Sequence, residues 1–215
     1  MPAEVGSPNF GRIIPCACKT RETESRRQRS LLNMSNLDAF AALNFSNFDA
    51  NIPGVREAFS VSREFARHPE GWLLLMGGFG CGKTHLAAAI ANEALERGIS
   101  TYFAVVPDLL DQLRAAYAPS TELSFDERFE QIRGAALLVL DDLGTENTTQ
   151  WAREKLYQIF NHRYNYRMPT VVTSNVELDL IEPRIRSRLC DASLCRQIFI
   201  QAEDYRQRPN QYRYK

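Results

Sequence analysis

The stretch running from Gly77 to Thr84 constrains this chain more than any other. Ahead of it, Trp72 to Met76 is apolar and long enough for a buried strand. Behind it, Leu86, Ala87, Ile90, Ala91, Ala94 and Leu95 recur at helical spacing. A glycine-rich loop ending in Gly-Lys-Thr between a strand and a helix is a P-loop in the context that motif requires. Gly77, Gly78, Phe79, Gly80, Cys81 and Gly82 let the backbone curl into a nest of N–H groups at the positive end of a helix, where a polyphosphate fits. Lys83 is expected to reach the β- and γ-phosphates of ATP, Thr84 to give its hydroxyl to Mg²⁺, and His85 to join the nucleotide contacts. Cys81 reads as a spacer whose backbone matters more than its thiol.

At 215 residues the chain is expected to hold one core domain plus an extension. Its 26 basic and 26 acidic residues cancel, so any nucleic-acid surface must come from local segregation of charge. Lysine occurs only at Lys19, Lys83, Lys155 and Lys215, and arginine carries the remaining positive charge. No apolar run approaches the roughly 20 residues that cross a bilayer, and the N-terminus lacks a signal pattern. The expected location is therefore the cytoplasm, with the five cysteines reduced.

Residues 1–35 read as an N-terminal extension, 36–207 as the ATPase domain and 208–215 as a polar tail. In the extension, Cys16 and Cys18 are spaced like half a zinc site, but no second pair lies near, so no metal is assigned there. Arg21, Arg26, Arg27 and Arg29 alternate with Glu22 and Glu24, which fits a solvated helical face. Phe45 and Phe48 lead into a helix over 55–67, and they either cover an adenine base or pack on the sheet edge. Strands are expected over 100–106, 135–140, 169–175 and 197–201, with helices over 107–117, 125–133, 149–167 and 178–189.

The run Leu137-Leu138-Val139-Leu140 ends in Asp141 and Asp142, a buried strand delivering acids at its carboxyl end beside the P-loop. Asp141 is expected to hold Mg²⁺ and Asp142 to orient and deprotonate the attacking water, with Glu146 as an alternative acid. Asn175 follows a buried strand, where it either contacts the γ-phosphate or water or serves as a turn residue. Arg184 and Arg188 share a helical face and are either solvated charges or reach a neighbour's nucleotide.

Taken together, Gly77 to Leu86, Leu138 to Gly144, Pro169 to Asn175, Arg184 to Leu189 and Asp204-Tyr205-Arg206 resemble a AAA+ ATPase. More narrowly they resemble the DnaC/DnaI-like helicase loaders, with the IstB transposition ATPases as close relatives. The resemblance implies an α/β P-loop fold, a parallel five-stranded sheet flanked by helices and little or no C-terminal lid. It also implies sensor 1 at Asn175, an arginine finger at Arg188 with Arg184 second, and a sensor 2 arginine at Arg206. The activity implied is slow, regulated ATP hydrolysis that loads a DnaB-like replicative helicase onto single-stranded DNA, with subunits self-associating through the ATP site. Arg114, Tyr117, Arg128 and Phe129 lie where such loaders touch DNA, although core packing also accounts for Phe129. Asp142 stands where AAA+ proteins usually carry Glu, and almost nothing precedes Cys16 where loaders carry a helicase-binding segment. Two rival functions are an IstB-like helper on duplex DNA, whose relatives more often have Gln at the place of Asn175, and a nucleotide-gated adaptor without useful turnover.

Overall fold

The computed structural model describes residues 16, 18, 35–116, 125–145 and 149–207. Expectations for the rest of 1–34, for Tyr117 and Glu146, and for the tail at 208–215 lie outside the described residues. Five strands, β1 (Trp72–Gly77), β2 (Thr101–Val105), β3 (Leu137–Leu143), β4 (Thr170–Ser174) and β5 (Cys195–Ile200), form one sheet in the order β2-β3-β4-β1-β5. Every pairing is parallel. Parallel neighbours need crossovers, and helices α1 (Arg56–Arg67), α2 (Lys83–Glu96), α3 (Val106–Ala115), α4 (Phe125–Arg133), α5 (Gln150–Asn165) and α6 (Pro183–Leu189) cover both faces.

The alternation of side chains along each strand divides the core into two layers. Leu73, Leu75, Phe103, Leu137, Val139 and Val171 face α1 and α2. Trp72, Leu74, Tyr102, Leu138, Leu140 and Val172 face α3 to α6. Each of these is at most 1% exposed, so burial stabilises by about 1.5–3 kcal/mol for each Val, Leu or Phe. Trp72 also donates its indole N–H to Met168 O (3.0 Å) and packs edge-on against Phe160 and Tyr164. Helix α2 is wedged between the sheet and α1, and its alanines Ala87, Ala88, Ala89, Ala91 and Ala94 are all 1% exposed or less. Small side chains let the helix that opens at the P-loop sit deep in the molecule.

Boundaries depart from the sequence reading in three places. The helix expected over 178–189 is a 3₁₀ turn, Leu178–Leu180, followed by the separate helix α6. Pro183 lacks an N–H and disfavours helix in the residue before it, while Glu182 caps the new start by accepting from Ile185 N (2.9 Å). Strand β3 runs on through Asp141 and Asp142, and β5 begins earlier, at Cys195. Thr149 caps α5 through a bond from Ala152 N (3.2 Å). Cys16 and Cys18, expected as thiols, are paired as a disulfide, and Cys81, Cys190 and Cys195 are free. Among the described residues no cluster of His, Cys, Asp and Glu is arranged to hold a metal, and no helix is long and apolar enough to cross a membrane.

Candidate functional site

The strand order sets the carboxyl ends of β3, β4 and β1 side by side, which is where open parallel sheets take ligands. β1 leads into the glycine-rich loop, and Gly82, at φ 101°, turns the chain into α2. The side chain of Lys83, the first residue of α2, is folded back under the loop. Its ammonium donates to Gly77 O (3.0 Å) and Gly78 O (2.8 Å) and lies 3.8 Å from Cys81 Sγ. Lys83 is only 6% exposed, and no carboxylate among the described residues pairs with it. A buried ammonium held by neutral carbonyl and thiol groups is a strong attractor for an anion entering the loop.

The two aspartates at the end of β3 part company at a β-bulge. From Leu140 to Leu143 the chain takes three steps on β3 against two, from Val172 to Ser174, on β4. Asp142 adopts φ 59°, a left-handed conformation that Asp tolerates better than most residues. Asp141 is buried, accepting from Thr173 Oγ1 (2.6 Å) and Thr84 Oγ1 (3.0 Å). Burial raises its pKa, the Asp142 charge adds to that, and the two hydroxyl bonds and Lys83 oppose it. Thr173 Oγ1 also accepts from Asp142 N (2.9 Å), so one hydroxyl links both acids to β4. Asp142 itself is half-buried and lines the cleft.

That cleft has a volume of about 810 Å³, enough for a nucleotide, and is bounded on one side by Lys83, Thr84, Asp142 and Asn175. Asn175 Oδ1 is buried with no hydrogen-bond partner. A buried carbonyl oxygen without a donor is costly unless a ligand or water completes it. The donor set of Thr84 and Asp141, two oxygens held together, fits Mg²⁺, a cation that takes oxygen ligands.

The far wall comes from the two ends of the domain. Phe48 stacks on Phe59 and meets the His85 ring edge-on (5.1 Å), so it packs against α1 and α2 and also lines the cleft. His85 Nε2 lies 3.0 Å from Asn44 O and from Asn47 Oδ1, tying this N-terminal segment to the P-loop helix. Burial lowers the His85 pKa, favouring the neutral ring. Opposite, Tyr205 N donates to Gly80 O (3.1 Å), and Asp204 Oδ1 accepts from Arg206 N (2.9 Å). Arg206 lines the same cleft. A Cβ on Gly80 would fall 1.7 Å from Asp204 Oδ1, at φ +66°, so this glycine admits the strap that carries Arg206. Gly80→Ala is therefore expected to displace the strap and weaken nucleotide binding about tenfold, measured by titration of a fluorescent ATP analogue. Unchanged affinity would separate the strap from the nucleotide site.

The arginines of α6 do not line this cleft. Arg184 pairs with Glu182 (2.7 Å) and Glu154 (3.4 Å), whereas Arg188 rests on α5 against Tyr157, Asn161 and Tyr164. Of the residues considered for DNA contact, Phe129 is 6% exposed and belongs to the core. Arg114 is exposed, stacked over Trp151 (5.1 Å) and bonded to Asp111 and Thr149. Arg128 Nε is buried without a bond. The sequence reading quotes Thr173 and Asp204 within longer motifs but gives neither a role. The hydroxyl residues of the fully buried strand Thr170–Ser174, which need buried partners, are a signal for the first. The second acts through a contact with Gly80, far away in the chain, which the local motif does not specify.

The DnaI replicative helicase loader of Bacillus subtilis (strain 168) is 28% identical over 171 residues, which make up 76% of this chain and 54% of DnaI, so the match spans about half of that relative. An insertion sequence IS5376 protein of Geobacillus stearothermophilus, whose name ascribes ATP binding to it, is 31% identical over 159 residues, 72% of this chain and 60% of the relative. A crystal structure of the DnaC helicase loader superposes with a TM-score of 0.65 at 26% identity, covering 74% of this chain and 97% of that one, so the sheet and its helices form an AAA+ P-loop core. The family of IstB-like ATP binding proteins matches residues 17–215, nearly the whole chain and every part of the cleft described above, and this chain belongs to it.

Proposed function

We propose that this chain binds and slowly hydrolyses Mg²⁺-ATP in the cleft between Lys83 and Asn175, and uses the bound nucleotide to load a replicative helicase onto single-stranded DNA. The observation that carries the nucleotide reading is that Asn175, whose buried Oδ1 has no hydrogen-bond partner, lines the same cleft as Lys83 and Asp142. In this reading Gly78 to Gly82 wrap the phosphates with backbone N–H groups, and Lys83 exchanges its carbonyl partners for phosphate oxygens. Thr84 and Asp141 would hold Mg²⁺, and the ion would supply charge neutralisation at the phosphates. Asn175 orients a water molecule for attack on the γ-phosphorus, and Asp142 accepts the proton as the bond to ADP breaks. Arg206 meets the phosphates from the strap, and Arg188 acts on the nucleotide of a neighbouring subunit. Asp142 is one methylene shorter than Glu, which fits slow, switch-like turnover.

The loader reading draws on the likeness to DnaI and to the DnaC structure, and on Asn175 following Thr173-Ser174. The likeness to the IS5376 protein favours a second reading, a transposition helper acting on duplex DNA. Binding of the purified protein to fluorescent single-stranded and duplex DNA, with and without Mg²⁺-ATP, separates the two. Retention on single strands that is at least tenfold tighter with ATP is the expected result. Preference for duplex would turn the assignment to the transposition helper, and no binding to either would favour a nucleotide-gated adaptor.

A further inference from the structure

The three arginines of α6 are held in different ways. Arg184 is neutralised by Glu182 and Glu154, and Arg186 pairs with Asp179 (2.6 Å). Arg188 has no carboxylate partner among the described residues. Its guanidinium lies over the rings of Tyr157 (5.0 Å) and Tyr164 (5.3 Å). Nη2 donates to Asn161 Oδ1 (2.6 Å) and, at 3.4 Å, to the Tyr157 hydroxyl, while Nη1 donates to Arg184 O (2.7 Å). Tyr157, Asn161 and Tyr164 recur at i, i+4 and i+7, so one ridge of α5 supplies every side chain of the cradle, and the Arg184 carbonyl of α6 completes it. All its bonding atoms are neutral, so the arginine keeps its full charge, and of its five N–H donors Nε is buried without a partner.

A long cation fixed in a neutral cradle suits the capture of an anion that arrives from outside the subunit. Freezing an arginine costs rotamer entropy, and a cradle that meets this cost in the isolated subunit removes it from the docking step. We infer that Asn161 and Tyr157 are positioning residues, which aim Arg188 at the nucleotide phosphates held by a second copy of this chain. The inference rests on the trans role proposed for Arg188. Neither residue touches the nucleotide of its own subunit, since neither lines the cleft.

The test uses Asn161→Ala and Arg188→Ala, each alone and mixed with Lys83→Ala subunits. Hydrolysis is read at concentrations where the wild type assembles, with ATP-driven sedimentation as a companion measurement. Asn161→Ala is expected to keep the isolated chain's affinity for a fluorescent ATP analogue and to lower assembly-dependent hydrolysis about tenfold, the effect of one lost hydrogen bond to a charged group. Mixed with Lys83→Ala subunits, which bring an intact Arg188 and a disabled nucleotide site, it should recover activity above the sum of the two parts. Tyr157→Phe, which keeps the ring that Arg184 also lies over (3.9 Å) and loses the hydroxyl that bonds Arg188, should lower hydrolysis in the same direction and serves if Asn161→Ala lowers the thermal midpoint. Wild-type hydrolysis and assembly in both positioning variants, with Arg188→Ala impaired, would overturn the positioning role and leave the trans role standing. So would a mixture that rescues Arg188→Ala but not Asn161→Ala. An Arg188→Ala protein that assembles and hydrolyses normally would remove the trans role and this inference with it.

Discussion

Lys83→Ala is expected to weaken ATP binding at least about a hundredfold, the largest functional effect of any single substitution in this chain. The magnitude follows from the setting of the ammonium. It is buried and bonded to the carbonyls of Gly77 and Gly78 and to Cys81, and no carboxylate among the described residues forms an ion pair with it to compete with incoming phosphate. Alanine removes that charge and leaves two loop carbonyls without their donor, so the nest also loses its internal brace. Titration of a fluorescent ATP analogue, with thermal unfolding to show that the variant folds, reads the result. An affinity within twofold of wild type would sink the assignment of this cleft as the nucleotide site.

Arg163→Met is expected to cost about 3–5 kcal/mol of stability, the largest structural effect. Arg163 is a fully buried cation on α5 with no carboxylate partner among the described residues. Nε donates to Thr170 Oγ1 (2.8 Å), and Nη1 donates to Arg133 O and Ala135 O, both at 2.9 Å. Nη2 donates to Pro169 O. Burial pushes its pKa down to about 9, which leaves it charged at neutral pH. This one side chain therefore pins the end of α4, the approach to β3 and the start of β4, the strands that deliver Asp141 and Asn175. Methionine fills most of the volume but takes the donor from Arg133 O and Ala135 O, each worth about 1–3 kcal/mol when buried without one, while Pro169 O keeps its bond from Leu138 N. Urea denaturation measures the loss, and a change below 1 kcal/mol would show that water replaces the guanidinium at these carbonyls.

Much of the site was legible in the chain. Trp72 to Thr84 reads as strand and P-loop because the apolar run, the glycines and the Gly-Lys-Thr ending are contiguous. Leu137 to Asp142 reads as a strand ending in acids for the same reason. What escaped is non-local or geometric. The bulge that turns Asp141 inward and Asp142 toward the cleft depends on the register of β3 against β4. The break before α6 was written in Pro183, but the helical spacing of the flanking residues masked it. Nothing in the local sequence singles out Arg163, and only the packing of α5 on the sheet shows it enclosed.

By itself the sequence determined the class of fold and the chemistry of the P-loop and the β3 acids, because strand burial, loop conformation and acid placement are each encoded within a few consecutive residues. Tertiary structure decided which distant groups meet: Thr173 with Asp141, Asp204 with Gly80, and Asn161 with Arg188. The physical reason is that these contacts arise from strand order, register and helix docking, which are set by the burial of the whole core and leave no mark in any single stretch of chain.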